Sequence, residues 1–191
     1  MGAAQGSAPP DRLTVAVGQY SCAGAKPANQ DFYGCILPDG DLLANKGMAF
    51  VVADGISTSR RGREAAETAV ASFLTDYYAT PDAWSPRTSA QRVIAAINSW
   101  MHGQNAALGG MGAGYADSDR AREAEGLVTT FTALILRDAA AHILHLGDGV
   151  AARVNEAGPE RLTEAHRVPP GGGAPFLARA LGMGPPVGID H

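Results

Sequence analysis

The spacing of apolar side chains changes character along the chain, and each change marks an element. Leu13, Val15 and Val17 alternate with polar or small residues, which predicts a first strand over 13–20. Residues 32–37 predict a second strand, closed by the turn Pro38-Asp39-Gly40. Met48 to Ala53 predicts a third, whose run Phe50-Val51-Val52-Ala53 stops at Asp54-Gly55. The period then lengthens. Apolar residues at 65, 66, 69, 70, 73, 74, 77 and 78 line one face of a helix over about 62–78, which ends before Pro81. A second helix is predicted from near Thr88, where Thr88 and Gln91 have capping-box spacing. Its core stripe is Val93, Ile94, Ile97, Trp100, Met101 and Leu108.

Alternation returns after residue 128. Thr129 to Leu136 and Ala141 to Leu146 predict a hairpin across Arg137-Asp138. Gly147-Asp148-Gly149 turns into a strand over Val150 to Asn155, with Arg161 to Thr163 pairing back. Strands with short, turn-rich links favour antiparallel pairing over βαβ winding, and two successive amphipathic helices imply a helical layer on one sheet face. The pattern is that of one α+β domain over 13–191, preceded by a flexible leader at 1–12, with no internal repeat. Gly109 to Gly126 lacks periodicity and reads as a mobile insertion or a functional loop; Pro169 to Pro175 reads as a flexible loop.

Composition narrows the function classes. Hydrophobic residues at 46% and charged residues at 18% describe a globular chain. A net charge of -4 argues against a nucleic-acid partner, which would need a basic face. The only two cysteines, Cys22 and Cys35, lack metal-type spacing and read as reduced thiols, which points to the cytoplasm. No apolar run approaches the length of a membrane helix, and residues 1–12 lack the apolar core of a signal peptide.

Candidate chemistry lies in carboxylates at strand ends. Asp54-Gly55, taken alone, reads first as a plain turn between strand and helix. Beside Asp31 and Asp148, each at a strand end or tight turn among small residues, it sketches an oxygen-only site with no zinc-type Cys or His spacing to compete. His142 and His145 fall on opposite faces of one strand and cannot act as a ligand pair. Oxygen donors suit magnesium or manganese, and the chemistry such a site best supports is phosphate-ester hydrolysis. Lys26, five residues before Asp31, could steady the phosphate.

Six runs then appear in order: AGAKPANQDF (23–32), VVADGIS (51–57), LVTTFTAL (127–134), HLGDG (145–149), LTEAHRV (162–168) and LARALG (177–182). Together they resemble the metal-dependent protein phosphatase family (PPM, type 2C), over most of 13–190. The segments GREAAETAVASFLTDYYATPDAWS and SAQRVIAAINSWMH are most similar to the phosphatase half of bacterial bifunctional serine/threonine kinase–phosphatase proteins. The resemblance implies a sandwich of two antiparallel sheets flanked by helices, with two Mn2+ or Mg2+ ions in a cleft at one edge. Asp54 would bridge both ions, the Gly55 carbonyl would bind one, and Asp31 would join through ordered water. Asp148 would fall near a third, weaker metal position. Lys26 would stand where the family carries a phosphate-binding arginine, and the loop 166–176 would form the substrate flap. The implied partners are phosphorylated proteins and a cognate serine/threonine kinase, in the same gene product or separate.

Departures accompany the likeness. Gln30 replaces a glutamate beside Asp31, Ile56 stands where some members carry a histidine, and Gly149 replaces a serine. Family members continue past the position of His191 with an Asp-Gly and then an Asp-Asn motif, both metal-binding, and this chain has neither. The expectation is therefore a phosphatase domain incomplete at its C-terminal end. The alternative is a catalytically incomplete phosphatase-fold module that binds or regulates.

Overall fold

A computed structural model of the chain describes residues 13–109, 125–168, 176–184 and 188–191. The predicted leader, most of the aperiodic stretch 109–126 and the loop Pro169 to Pro175 lie outside the described residues.

Four strands form the main sheet in the order β1-β2-β3-β4, every neighbour antiparallel. They are β1 (Asp31–Ile36), β2 (Met48–Asp54), β3 (Phe131–Arg137) and β4 (Ala140–Leu146). Two helices, α2 (Gly62–Ala79) and α3 (Pro86–Gly109), cover one face of it. Ala49, Val51 and Ala53 of β2 point into that layer because side chains alternate along a strand. They meet Ala65, Ala66, Ala69, Val70, Phe73 and Tyr77 from α2, the face that the heptad-like spacing predicts. Phe73 anchors the contact, stacked on Tyr77 at 5.5 Å and edge-on to Phe131 at 5.2 Å.

The antiparallel α+β architecture is as predicted. Two ribbons complete it: β5 (Ala152–Asn155) with β6 (Gly158–Arg161), and β7 (Arg167–Val168) with β8 (Phe176–Leu177). Chain flanking these ribbons meets the sheet face opposite the helices, where Glu164 and Gly149 approach His145 and Thr132. Val52, on the same face, is 58% exposed.

Three local expectations are corrected. Residues 13–20 form no strand: Leu13, Val17 and Tyr20 are exposed, and no described strand offers them a ladder. Alternation makes a pleated surface only where a neighbour supplies hydrogen bonds. The turn at 38–40 runs on into a short helix, α1 (Gly40–Lys46), closed by Gly47 at φ 77° with its N–H on the Leu43 carbonyl. Seven residues are too few for helical periodicity to show. Helix α3 starts at Pro86 and is capped by Ser85, whose hydroxyl accepts from Thr88 N–H at 3.1 Å; proline suits the first helical position because it has no N–H to leave unpaired. Its buried stripe keeps Val93, Ile94, Ile97 and Met101, but Trp100 lies at the margin and is half exposed.

Candidate metal centre and its cleft

Strand β2 delivers Asp54 to the end of the sheet and holds it there from both sides. The Asp54 N–H donates to Thr130 Oγ1 at 2.9 Å, and Thr130 N–H donates to the Asp54 carbonyl at 2.9 Å. Gly55 then donates to the Gln30 carbonyl at 3.1 Å. A Cβ at position 55 would lie 2.0 Å from the Gly62 carbonyl oxygen, so only glycine lets the start of α2 pack against the strand end. Gln30 has a matching task. Its Nε2 donates to the Ser59 carbonyl at 2.8 Å, which a glutamate carboxylate could not do.

Asp31 opens β1 directly opposite Asp54, so the two carboxylates share the face away from the helices. Asp31 is fixed by an Asx turn, its N–H on Asn29 Oδ1 at 3.0 Å, while Asn29 Nδ2 reaches back to Ser21 Oγ at 2.8 Å. Asp54 Oδ1 is buried without any hydrogen-bond partner. Burial, followed by contact with Asp31 and its charge, pushes the Asp54 carboxyl up to about 6. Lys26 opposes the shift and Asp148 adds to it.

Asp54 borders a cleft of about 980 Å³ whose wall also includes Ile56, Asn105, Thr130, Asp148 and Leu177, while Asp31 lines a neighbouring hollow with Tyr33 and Val52. Lys26 lies in an adjoining depression of about 380 Å³, with Ser57 and Thr58 common to both walls. The residues singled out from the sequence thus gather at one end of the main sheet. Lys26 is exposed, whereas Asp31, Asp54 and Asp148 are half-buried. Asp148 differs from the other carboxylates because Arg167 Nε donates to its Oδ2 at 3.0 Å and Arg167 Nη2 closes on the same oxygen. Among the described residues, no three His, Cys, Asp or Glu side chains form one compact ligand cluster.

Several supports of the site carry no sequence signal. Asn98 and Asn105, seven apart on α3, pin the two loops that line the cleft. Asn105 bonds the Leu127 backbone at both its N–H (2.7 Å) and carbonyl (3.0 Å), and also the Gly182 carbonyl at 3.0 Å. Asn98 accepts from Gly182 N–H at 2.9 Å and donates to the Gly184 carbonyl at 3.0 Å. The Asp148 turn is braced by histidines. Buried His145 donates through Nε2 to the Gly147 and Glu164 carbonyls, each at 3.1 Å, with Thr132 Oγ1 on Nδ1 at 2.9 Å. His166 accepts from Gly147 N–H at 3.1 Å and donates to Asp190 Oδ2 at 2.7 Å. Asparagine and histidine on apolar faces reveal their partners only after distant loops have come together.

An unpaired buried carboxylate oxygen, a second carboxylate beside it and oxygen-only donors fit a hard cation such as Mg2+ or Mn2+. A lysine at the rim of the same site suits an anionic, phosphate-bearing substrate. The family model described as protein phosphatase 2C matches residues 19–168. The fold is similar to the serine/threonine phosphatase Stp1 from Staphylococcus aureus, with TM-score 0.68 and 16% identity over 90% of this chain and 67% of that one. It is also similar to PppA from Pseudomonas aeruginosa, with TM-score 0.63 and 18% identity over 90% and 67%. For the PPM Ser-Thr phosphatase MsPP from Mycobacterium smegmatis the values are 0.54 and 23%, over 86% and 66%. The chain spans about two thirds of the length of these structures. No curated protein sequence matches it. The chain belongs to the protein phosphatase 2C family, whose members are metal-dependent serine/threonine phosphatases.

Proposed function

We propose that the cleft beside Asp54 hydrolyses phosphoserine and phosphothreonine esters of proteins. The observation that carries this reading is the buried, unpartnered Asp54 Oδ1 with Asp31 directly across from it. Leaving such an oxygen dry and unpaired is costly, and a cation removes the cost. Asp54, Asp31 and the Gly55 carbonyl would hold Mn2+ or Mg2+, which supplies an activated water and neutralises phosphoryl charge. Lys26 would bind a phosphoryl oxygen as a point charge from the adjoining depression. Ile56 offers no proton in the cleft wall, so the leaving alkoxide would take its proton from water or from another group of the wall, which includes His102.

The substrates of a phosphatase are phosphoproteins, and a cognate serine/threonine kinase that makes them is part of this proposal. No described helix is long and apolar enough to cross a membrane. We place the activity in the cytoplasm, on the two unpaired cysteines. One observation favours a second reading. The lack of a three-carboxylate cluster among the described residues would suit a module that binds phosphoproteins without turning them over.

The test is phosphate release from a phosphothreonine peptide by the chain, with manganese or with chelator, beside Asp54→Asn. Metal-dependent release that the substitution abolishes supports the enzyme. Peptide binding without release, unchanged by manganese, supports the binding module.

A further inference from the structure

Asp148 borders the same cleft as Asp54, close enough for its charge to bear on Asp54, yet its surroundings are different. Its neighbour is already a cation. Arg167, the first residue of β7, directs both Nε and Nη2 at Asp148 Oδ2. The Arg167 side chain is half exposed, but the backbone that carries both partners is clamped. His166 N–H donates to the Gly147 carbonyl at 2.7 Å, and Gly147 N–H donates to His166 Nδ1 at 3.1 Å. Residues 147–148 and 166–167 are therefore held face to face by two backbone-anchored bonds, with the Arg167–Asp148 pair immediately beyond them. Strand β7 is in turn fixed to β8, where Arg167 stands opposite Leu177 of the cleft wall.

We propose that Arg167 acts as the resident cation of Asp148 and keeps divalent metal off that carboxylate, confining metal binding to the Asp31–Asp54 pair. This rests on the reading of Asp54 as a metal ligand and extends it by dividing the three carboxylates into two kinds. A divalent ion on Asp148 would have to sit beside the Arg167 guanidinium, against direct like-charge repulsion. The arginine fork satisfies Oδ2 without such an ion, whereas Asp54 Oδ1 has nothing to satisfy it. Arg167 is a positioning residue in this scheme. It sets where metal binds and takes no part in the bond changes.

The experiment counts bound manganese by the loss of the free-ion electron paramagnetic resonance signal. It compares the chain with Arg167→Gln, Arg167→Lys and Arg167→Gln/Asp148→Asn, each checked for folding by circular dichroism. Arg167→Gln should gain manganese binding at least about tenfold tighter than any Asp148-dependent binding in the unaltered chain. That gain should vanish in the double variant. Arg167→Lys keeps the charge and should behave like the unaltered chain, which a role confined to packing would not predict. No gain in Arg167→Gln, or equal Asp148-dependent binding with arginine in place, overturns the proposal. The same comparison on an Asp54→Asn background separates the two readings. Loss of all tight binding there tests the Asp54 centre, while a gain on removing Arg167 is scored independently of it.

Discussion

Asp31 and Asp54 stand directly opposite each other across β1 and β2, two carboxylates on one face at the end of a sheet. Like charges so placed cannot both ionise freely, and the Asp54 carboxyl is pushed up to about 6, first by burial and then by Asp31. In the metal-free chain the folded state therefore holds the Asp54 proton to higher pH than the unfolded state does. The stability this contributes is present below about pH 4 and is lost as pH rises through about 6. Asp54→Asn should match the unaltered chain near pH 4 and exceed it by about 1–2 kcal/mol above pH 7, allowing for solvent screening. Urea unfolding in chelator across that range makes the measurement. A difference that does not change with pH would show that neither burial nor Asp31 raises the Asp54 carboxyl.

Gly55→Ala should destabilise the chain by about 3 kcal/mol, because its Cβ would meet the Gly62 backbone and not a flexible side chain that could move aside. The shift in the urea midpoint reports it. A loss under about 0.5 kcal/mol would mean that the α2 start can move away from the strand end at little cost.

Lys46 is fully buried, its ammonium donating to Thr80 Oγ1 at 2.8 Å, the Pro81 carbonyl at 2.7 Å and Ser89 Oγ at 3.4 Å. It ties the end of α1 to the α2–α3 connection. Lys46→Met fills similar space without donors, leaving the Pro81 carbonyl without this donor, and should cost about 2 kcal/mol. Because the site lies at the other end of β2, manganese affinity should be unchanged in the folded variant. Calorimetric titration would show whether that separation holds.

His145 is buried, and burial together with the neighbouring His166 lowers its pKa. A histidine that resists protonation when folded contributes stability that is present above the unfolded value of about 6.5 and lost as pH falls below it. Nitrogen-detected NMR should find that the His145 ring loses its charge at lower pH than an exposed histidine does, with the proton of the neutral ring on Nε2. A ring that holds its charge to a higher pH than an exposed histidine would show that the Gly147 and Glu164 carbonyls, which favour the charged form, outweigh burial and His166.

Local chemistry alone determined much of this protein. The α2 face at 65, 66, 69, 70, 73 and 77, the run ending at Asp54 and the 131–146 hairpin were readable because periodicity is a short-range property of the chain. Ordered motifs and strand ends also drew notice to Asp31, Asp54 and Asp148, but no local pattern showed how the three are grouped. Residues 13–20 failed for the complementary reason: a strand needs a partner, and no sequence pattern shows whether one is in place. Only the tertiary structure decided that Asp31 faces Asp54 in register while Asp148 faces Arg167, and that Asn105 joins two loops 55 residues apart in sequence (from 127 to 182). Those relationships follow from how the sheet is ordered and how the loops close, and they exist only once distant residues are brought within hydrogen-bond reach.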